Sequence, residues 1–304
     1  MNLITLAKRY HAHESIDKSD FQRKARILQS IWRTEQGYEM GSTGDRLLGS
    51  RLPMPWAEIT LANFLTPVIR EVVEKEITAN RECKTKLYEE ERLFSNLLSS
   101  QPLCFNLFGE LSKNLQLASE LFKIISNGRL ISVNSIEFEY SPGRLNPKYT
   151  NDKSAFDVFV KGVSLAGTKA FVGIEVKYHE MLNDDLAEHR ERYDDLASSM
   201  ECFLPECRER LKKKPLQQIW RDHLMAGAIL QNDDYEDGFF AFLYPAENEY
   251  CQNAVKTYEA CLSKTETFVC WTLEHIYKTL SFISDEEWVQ LFYNRYLAFE
   301  KTNA

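Results

Sequence analysis

The chain has 304 residues, 44% hydrophobic and 27% charged, which excludes disordered, fibrous and membrane-spanning classes and leaves room for one elaborated core with helical additions. No apolar run approaches the roughly 18–20 residues that span a bilayer, no secretory core opens the chain, and its seven Cys are scattered without a C-x-x-C pair, so a cytoplasmic protein with reduced thiols and no membrane association is expected. A net charge of −8 argues against nonspecific coating of nucleic acid but leaves room for a local basic groove, because metal-binding carboxylates themselves add negative charge.

Along the chain, Phe21, Ile27, Leu28 and Ile31 are spaced for one helical face, with Arg23, Lys24, Arg26 and Arg33 around it. Residues 36 to 56 carry Gly37, Gly41, Gly44, Gly49, Pro53 and Pro55 and read as a turn-rich connection. Helical spacing returns over 63–79, 86–99 and 104–125, the last ending at Asn127-Gly128.

The pattern then changes to strands. Ile131 to Tyr140 is a β-favouring run closed by Ser141-Pro142-Gly143. Ala155 to Val160 and Ala170 to Lys177 are two further strands, joined by a hairpin-length link. Residues 182–200 read as a polar helix, 216–230 as an amphipathic helix, Phe239 to Tyr244 as a buried strand, and the remainder from Gln252 as a helical tail.

Strand alternation puts Glu175 and Lys177 on one face, and an antiparallel pairing of the two central strands brings Asp157 to the same side. Converging carboxylates are costly unless protonated or neutralised, and a hard divalent cation is the usual remedy. Such a cation beside a lysine is a phosphodiester-hydrolysing arrangement. The competing reading is an exposed salt-bridge ladder. Glu-x-Lys alone is weak, since Glu82-Cys83-Lys84 repeats it in a charge-dense helical segment; the Glu175 copy differs by lying in an apolar strand with an Asp in the strand before it.

The stretches NLLSSQPLCFNLFGEL, EFEYSPGR, DKSAFDVFVKG, GIEVKYHE and PLQQIWRDHLMAGAIL, with LGSRL at 48–52, resemble the PGN_0703 family of restriction endonuclease-like proteins, assigned to the PD-(D/E)XK nuclease superfamily. The resemblance runs through most of the chain. It implies an α/β fold with a restriction-endonuclease-like αβββαβ core, a mixed central sheet flanked by helices, and extra N- and C-terminal helices. The expected division is a helical extension over 1–85, the nuclease core over 86–250 and a C-terminal helical extension over 251–304.

The same resemblance implies that Asp157 and Glu175 bind Mg²⁺, for which Mn²⁺ can substitute, with the Val176 main-chain carbonyl as a further ligand and Lys177 serving the hydrolytic water. Glu139 is a weaker candidate, and Glu110 and Glu137 compete with it to complete the site. Gln218 and Arg221, three apart on one helix, are second-rank catalytic candidates. His179 and His223 lack metal-ligand spacing and read as structural or surface residues. Arg144, Arg208, Arg210, Lys212, Lys213 and Lys214 are candidate nucleic-acid contacts, with solvated charge as the alternative.

These readings converge on metal-dependent hydrolysis of nucleic acid, foremost a DNA endonuclease. The alternative is a catalytically silent nuclease-fold protein that binds nucleic acid or assembles complexes; its mark, a missing acid or lysine, is absent. A small-molecule enzyme would need a phosphate loop or nucleophile elbow, and neither motif occurs. A homodimer is left open by the sequence.

Overall fold

A computed structural model describes residues 3–303. The chain begins with helices α1 (Leu3–Arg9) and α2 (Asp20–Glu35), a small hairpin of β1 (Gly41–Thr43) and β2 (Arg46–Leu48), and helices α3 (Trp56–Thr60), α4 (Pro67–Cys83) and α5 (Ser100–Lys113). It continues through α6 (Leu115–Ile125), strands β3 (Ser132–Tyr140), β4 (Phe156–Val163) and β5 (Lys169–Val176), and helices α7 (Glu191–Met200), α8 (Arg208–Leu211) and α9 (Gln217–Asn232). The last elements are β6 (Asp237–Tyr244), α10 (Glu249–Glu259), β7 (Phe268–Thr272), α11 (Leu273–Ile283) and α12 (Glu287–Tyr296). These sort into two compact units, Met1–Lys113 with Leu280–Ala304, and Asn114–Thr279.

The first unit is helical. Ser19 and Gln22 form a reciprocal capping box on α2, and Thr66 caps α4, with Pro67 supplying a preset first helical residue. α12 packs on α2 and α5 within this unit. Its Arg295 is fully buried, stacked 4.0 Å from the centroid of the Trp32 ring, and its guanidinium donates to the Asn63 carbonyl at 2.6 Å and to Gln29 Oε1 at 3.2 Å. A buried cation persists there because each of its three nitrogens donates to an acceptor, the third to Asn63 Oδ1.

The second unit holds one five-stranded mixed sheet in the order β3-β4-β5-β6-β7. β3, β4 and β5 run antiparallel as a meander, and β6 and β7 each add in parallel. α6 packs on β3, α9 on β5 and β6, and α7 on α9. This is the expected α/β architecture of a mixed sheet flanked by helices. β5 and β6 are buried along almost their whole length, as central parallel strands covered on both faces must be.

Several elements differ from the sequence reading. The helix expected over 104–125 is two, because the Asn114 side chain accepts from Leu117 N–H at 3.1 Å and starts α6 afresh. Over 86–99 only Glu91–Ser95 forms a helical turn. The polar helix expected from 182 begins at Glu191; the irregular stretch before it is held by Gln217, whose side chain accepts from Ala187 N–H at 2.7 Å and donates to its carbonyl at 2.9 Å. Residues 36–56 include the β1–β2 hairpin, and the C-terminal tail contains β7, a five-residue strand too short to register as a period.

The core between sheet and α9 gathers Phe156, Phe159, Phe171, Phe240 and Phe242 with Leu224, Met225 and Ala228 of α9. Each fully buried Phe contributes about 1.5–3 kcal/mol by leaving water. Gly173 is required here, since a Cβ on it would lie 2.5 Å from the Phe156 ring. His223 of α9 is fully buried and bonded to Tyr258 Oη at 2.8 Å and Thr267 Oγ1 at 2.7 Å, so it is structural; burial pushes its pKa down to about 3.

Two outcomes follow. Gly173→Ala must displace a buried ring and should cost about 1–3 kcal/mol, read as a lower urea midpoint; an unchanged midpoint would refute the close approach. His223 has a folded pKa below its unfolded value of 6.5, so its contribution is complete above that value and lost as pH falls from 6.5 toward about 3. Stability should therefore drop on acidification, by up to about 1.4 kcal/mol per pH unit from this residue, and His223→Gln should flatten the dependence between pH 7 and 5.

Candidate active site

The site is built at the C-terminal end of β5. Parallel pairing with β6 sets Glu175 opposite Phe242 and Val176 opposite Leu243, and Lys177 N–H extends the ladder to the Leu243 carbonyl at 2.8 Å. Because the strand continues through Lys177, alternation puts Glu175 and Lys177 on one face, where Lys177 Nζ donates to Glu175 Oε1 at 2.7 Å. Both are buried, at 5% and 6% exposure. Gln218, in the first turn of α9, donates to the same Glu175 oxygen at 2.5 Å.

Asp157 arrives from β4 in a different way. The β4–β5 ladder ends at the Val158–Ile174 pair, and one step beyond it the Asp157 carboxylate accepts from Val176 N–H at 2.7 Å. Phe156 and Phe159, an odd number of residues apart, both join the core under α9, so strict alternation does not hold across Asp157. Its side chain substitutes for a ladder bond and is tied to the strand that carries Glu175.

The electrostatics are those of crowded acids around one cation. Burial and then the charge of Glu175 hold the Asp157 carboxyl well above its usual range, against the pull of Lys177 and Val176 N–H. Burial works against the Lys177 ammonium, but Glu175, Glu180 and Asp157 outweigh it and raise its pKa. The turn that follows is fixed by Asn248, which donates to the carbonyls of Tyr178 at 3.0 Å and Glu180 at 3.2 Å.

A hard divalent cation fits this donor set. Among the described residues, Asp157 Oδ1 and Glu175 Oε2 accept no hydrogen bond, while the other oxygen of each is taken. Two oxygens are thus left for a cation that would also relieve the repulsion raising the Asp157 pKa. Among the described residues no cluster of three or more His, Cys, Asp or Glu is arranged to hold a metal, so further ligands would be the Val176 carbonyl, water and substrate oxygens. Mg²⁺ commonly binds through one or two carboxylates with waters and phosphates.

Most of the other candidates have partners of their own. Glu139, whose backbone takes a positive φ of 48°, pairs with Arg144 at 2.8 Å and lies close enough to Asp157 to raise its pKa further. Glu137 pairs with Lys161 at 2.5 Å, and Glu110, in the helical unit, accepts from the Thr66 hydroxyl. Arg221 is locked on Asp152 at 2.7 Å and on Ser154 Oγ at 2.7 Å. Among the proposed nucleic-acid contacts, Lys212 is paired with Asp194 and Glu209, Lys214 donates to the Asn183 carbonyl, and Arg144 also donates to the Lys153 carbonyl. Arg208, Arg210 and Lys213 are exposed and form no ion pair among the described residues.

Two acids were not singled out by sequence reasoning. Asp152 is buried and accepts from Arg221, Tyr193 Oη at 2.6 Å, Thr150 Oγ1 at 2.7 Å and Ser154 N–H at 2.9 Å; although burial opposes it, this set brings its pKa down to about 2. The Asp-x-Ser spacing, a common turn in which the carboxylate caps the backbone, was its only local signal. Asp222 of α9 is 4% exposed with its Oδ2 unpartnered, and burial followed by Glu175 holds its carboxyl well above the usual range. Its position one helical turn after Gln218 was the available signal.

A family model described as the PD-(D/E)XK nuclease superfamily matches residues 15–298. No curated protein and no solved structure matches the chain.

Asp152→Ala should lower stability by about 3 kcal/mol, because it strands the buried Arg221 guanidinium and the Tyr193 hydroxyl. Urea unfolding measures this, and a loss below about 1 kcal/mol would show that Asp152 does not anchor α9.

Proposed function

The chain belongs to the PD-(D/E)XK nuclease superfamily, and on that premise we propose that it is a Mg²⁺-dependent DNA endonuclease in which Asp157 and Glu175 hold the cation and Lys177 serves the attacking water. The observation that carries this reading is the Glu175 carboxylate: one oxygen takes Lys177 and Gln218, the other is left open beside Asp157.

A cation bound there supplies polarisation of a phosphate oxygen and a lowered pKa for a coordinated water. The chain's own residues do the rest. Gln218 and Lys177 fix the Glu175 rotamer, so little reorganisation is needed when substrate arrives. Val176 N–H does the same for Asp157. With its pKa raised, Lys177 is an ammonium and acts by donating: it orients the attacking water and stabilises negative charge developing on the phosphate oxygens as the bond from water oxygen to phosphorus forms and the opposite phosphorus–oxygen bond breaks, the water's proton passing to solvent and the departing oxygen taking one from solvent. Arg221, engaged by Asp152, serves as a positioning residue for α9 and hence for Gln218. Arg208, Arg210 and Lys213 are the exposed cations best suited to follow a nucleic-acid backbone.

The test is cleavage of plasmid and single-stranded DNA with Mg²⁺, Mn²⁺ or EDTA, using wild type, Lys177→Ala and Asp157→Asn. Metal-dependent cutting is expected from wild type, with at least about a hundredfold loss in Lys177→Ala and weakened Mn²⁺ binding by calorimetry in Asp157→Asn. Cutting by Lys177→Ala at the wild-type rate would remove Lys177 from the mechanism, and retained DNA binding without cutting by wild type would favour the silent nuclease-fold alternative.

A further inference from the structure

A cavity of about 230 Å³ opens beside the acids, between the segment 182–186 and the start of α9. It is open to solvent on one side and has room for one nucleobase. Gln218 belongs both to its wall and to the catalytic cluster, since its Nε2 donates to Glu175. The cavity therefore begins one side chain away from the carboxylates.

Charge decides which part of a nucleotide it suits. Both cations in the wall are engaged: Arg221 on Asp152 at 2.7 Å, and Lys214 on the Asn183 carbonyl at 2.9 Å and near Asp185 at 3.6 Å. Asp184, also in the wall, forms no ion pair among the described residues. A phosphate would meet uncompensated negative charge. A neutral base would not, and carboxylates at the mouth accept well from exocyclic amines, as in acid-to-cytosine pairing. Leu182, Leu186 and Pro215 add apolar surface for the face of a ring.

We propose that this cavity receives one unstacked base of the substrate strand, next to the phosphate held at Asp157 and Glu175, and that it favours bases carrying an exocyclic amine over thymine. The inference rests on the nuclease reading of the adjoining acids. Displacing one base from its neighbours costs least in a single strand, so single-stranded or locally opened DNA is the substrate form the cavity fits.

The experiment uses the full chain in Ca²⁺, a hard cation that takes oxygen ligands at the acids, with fluorescence anisotropy of short oligo(dT) strands carrying one central dC, dA, dT or abasic residue. The dC and dA strands should bind about tenfold tighter than all-dT, and the abasic strand no tighter than all-dT. In the Asp184→Ala, Asp185→Ala double variant the preference should shrink to about twofold or less. Both positions are exposed, so folding is not at stake, and the ratio between strands is read rather than overall affinity.

Equal binding of all strands, or a preference untouched by the double variant, overturns the proposal. Parallel cleavage in Mn²⁺ separates the two readings. Cutting of every strand with no discrimination removes the base cavity and leaves the nuclease; neither binding nor cutting of any strand removes both.

Discussion

Glu175 Oε1 is the point at which sheet and helix meet chemically. Lys177, two residues along the same strand, and Gln218, in the first turn of α9, both donate to it. A bare charge held away from water costs several kcal/mol, and these two donors offset that cost. With them, the acid stays in place, its second oxygen stays open, and α9 is held against the end of β5.

The rest of the second unit keeps that junction rigid. Parallel pairing on β6 fixes the register of β5 through Lys177, and Asn248 secures the turn beyond. Phe156 fills the space over Gly173 while its neighbour Asp157 reaches Val176 N–H, so packing and the acid's position are set together. On the helix side, Asp152 holds Arg221, and Tyr193 of α7 joins the same carboxylate. Arg221 is thereby tied to Asp152 and to Ser154 Oγ.

Crowding has a consequence for the basic residues as well. Within the run from Arg208 to Lys214, Lys212 and Lys214 are drawn to Asp194 and to the segment around Asn183, while Arg208, Arg210 and Lys213 remain exposed. A charge cluster in sequence thus divides into a part that fastens loops and a part that faces solvent. The unpartnered Asp222 adds a further buried acid behind the centre, with Glu175 raising its pKa.

The sequence by itself determined what local periodicity encodes: the strands around Asp157 and Glu175, the helix bearing Gln218, the order of these elements, and the shared face of Glu175 and Lys177. Each follows from backbone geometry over a few residues. Only the tertiary structure decided what depends on partners distant in the chain. Examples are the fifth strand β7, recruited by the edge of β6; the irregular 183–190 stretch, held open by Gln217; and the pairing of Arg221 with Asp152 across 69 positions. The departure from alternation at Asp157 is of the same kind, because the amide that binds its side chain lies on another strand. Hydrogen bonds and charges are satisfied by whatever the fold brings near, and a single sequence carries no local mark of which neighbour that is.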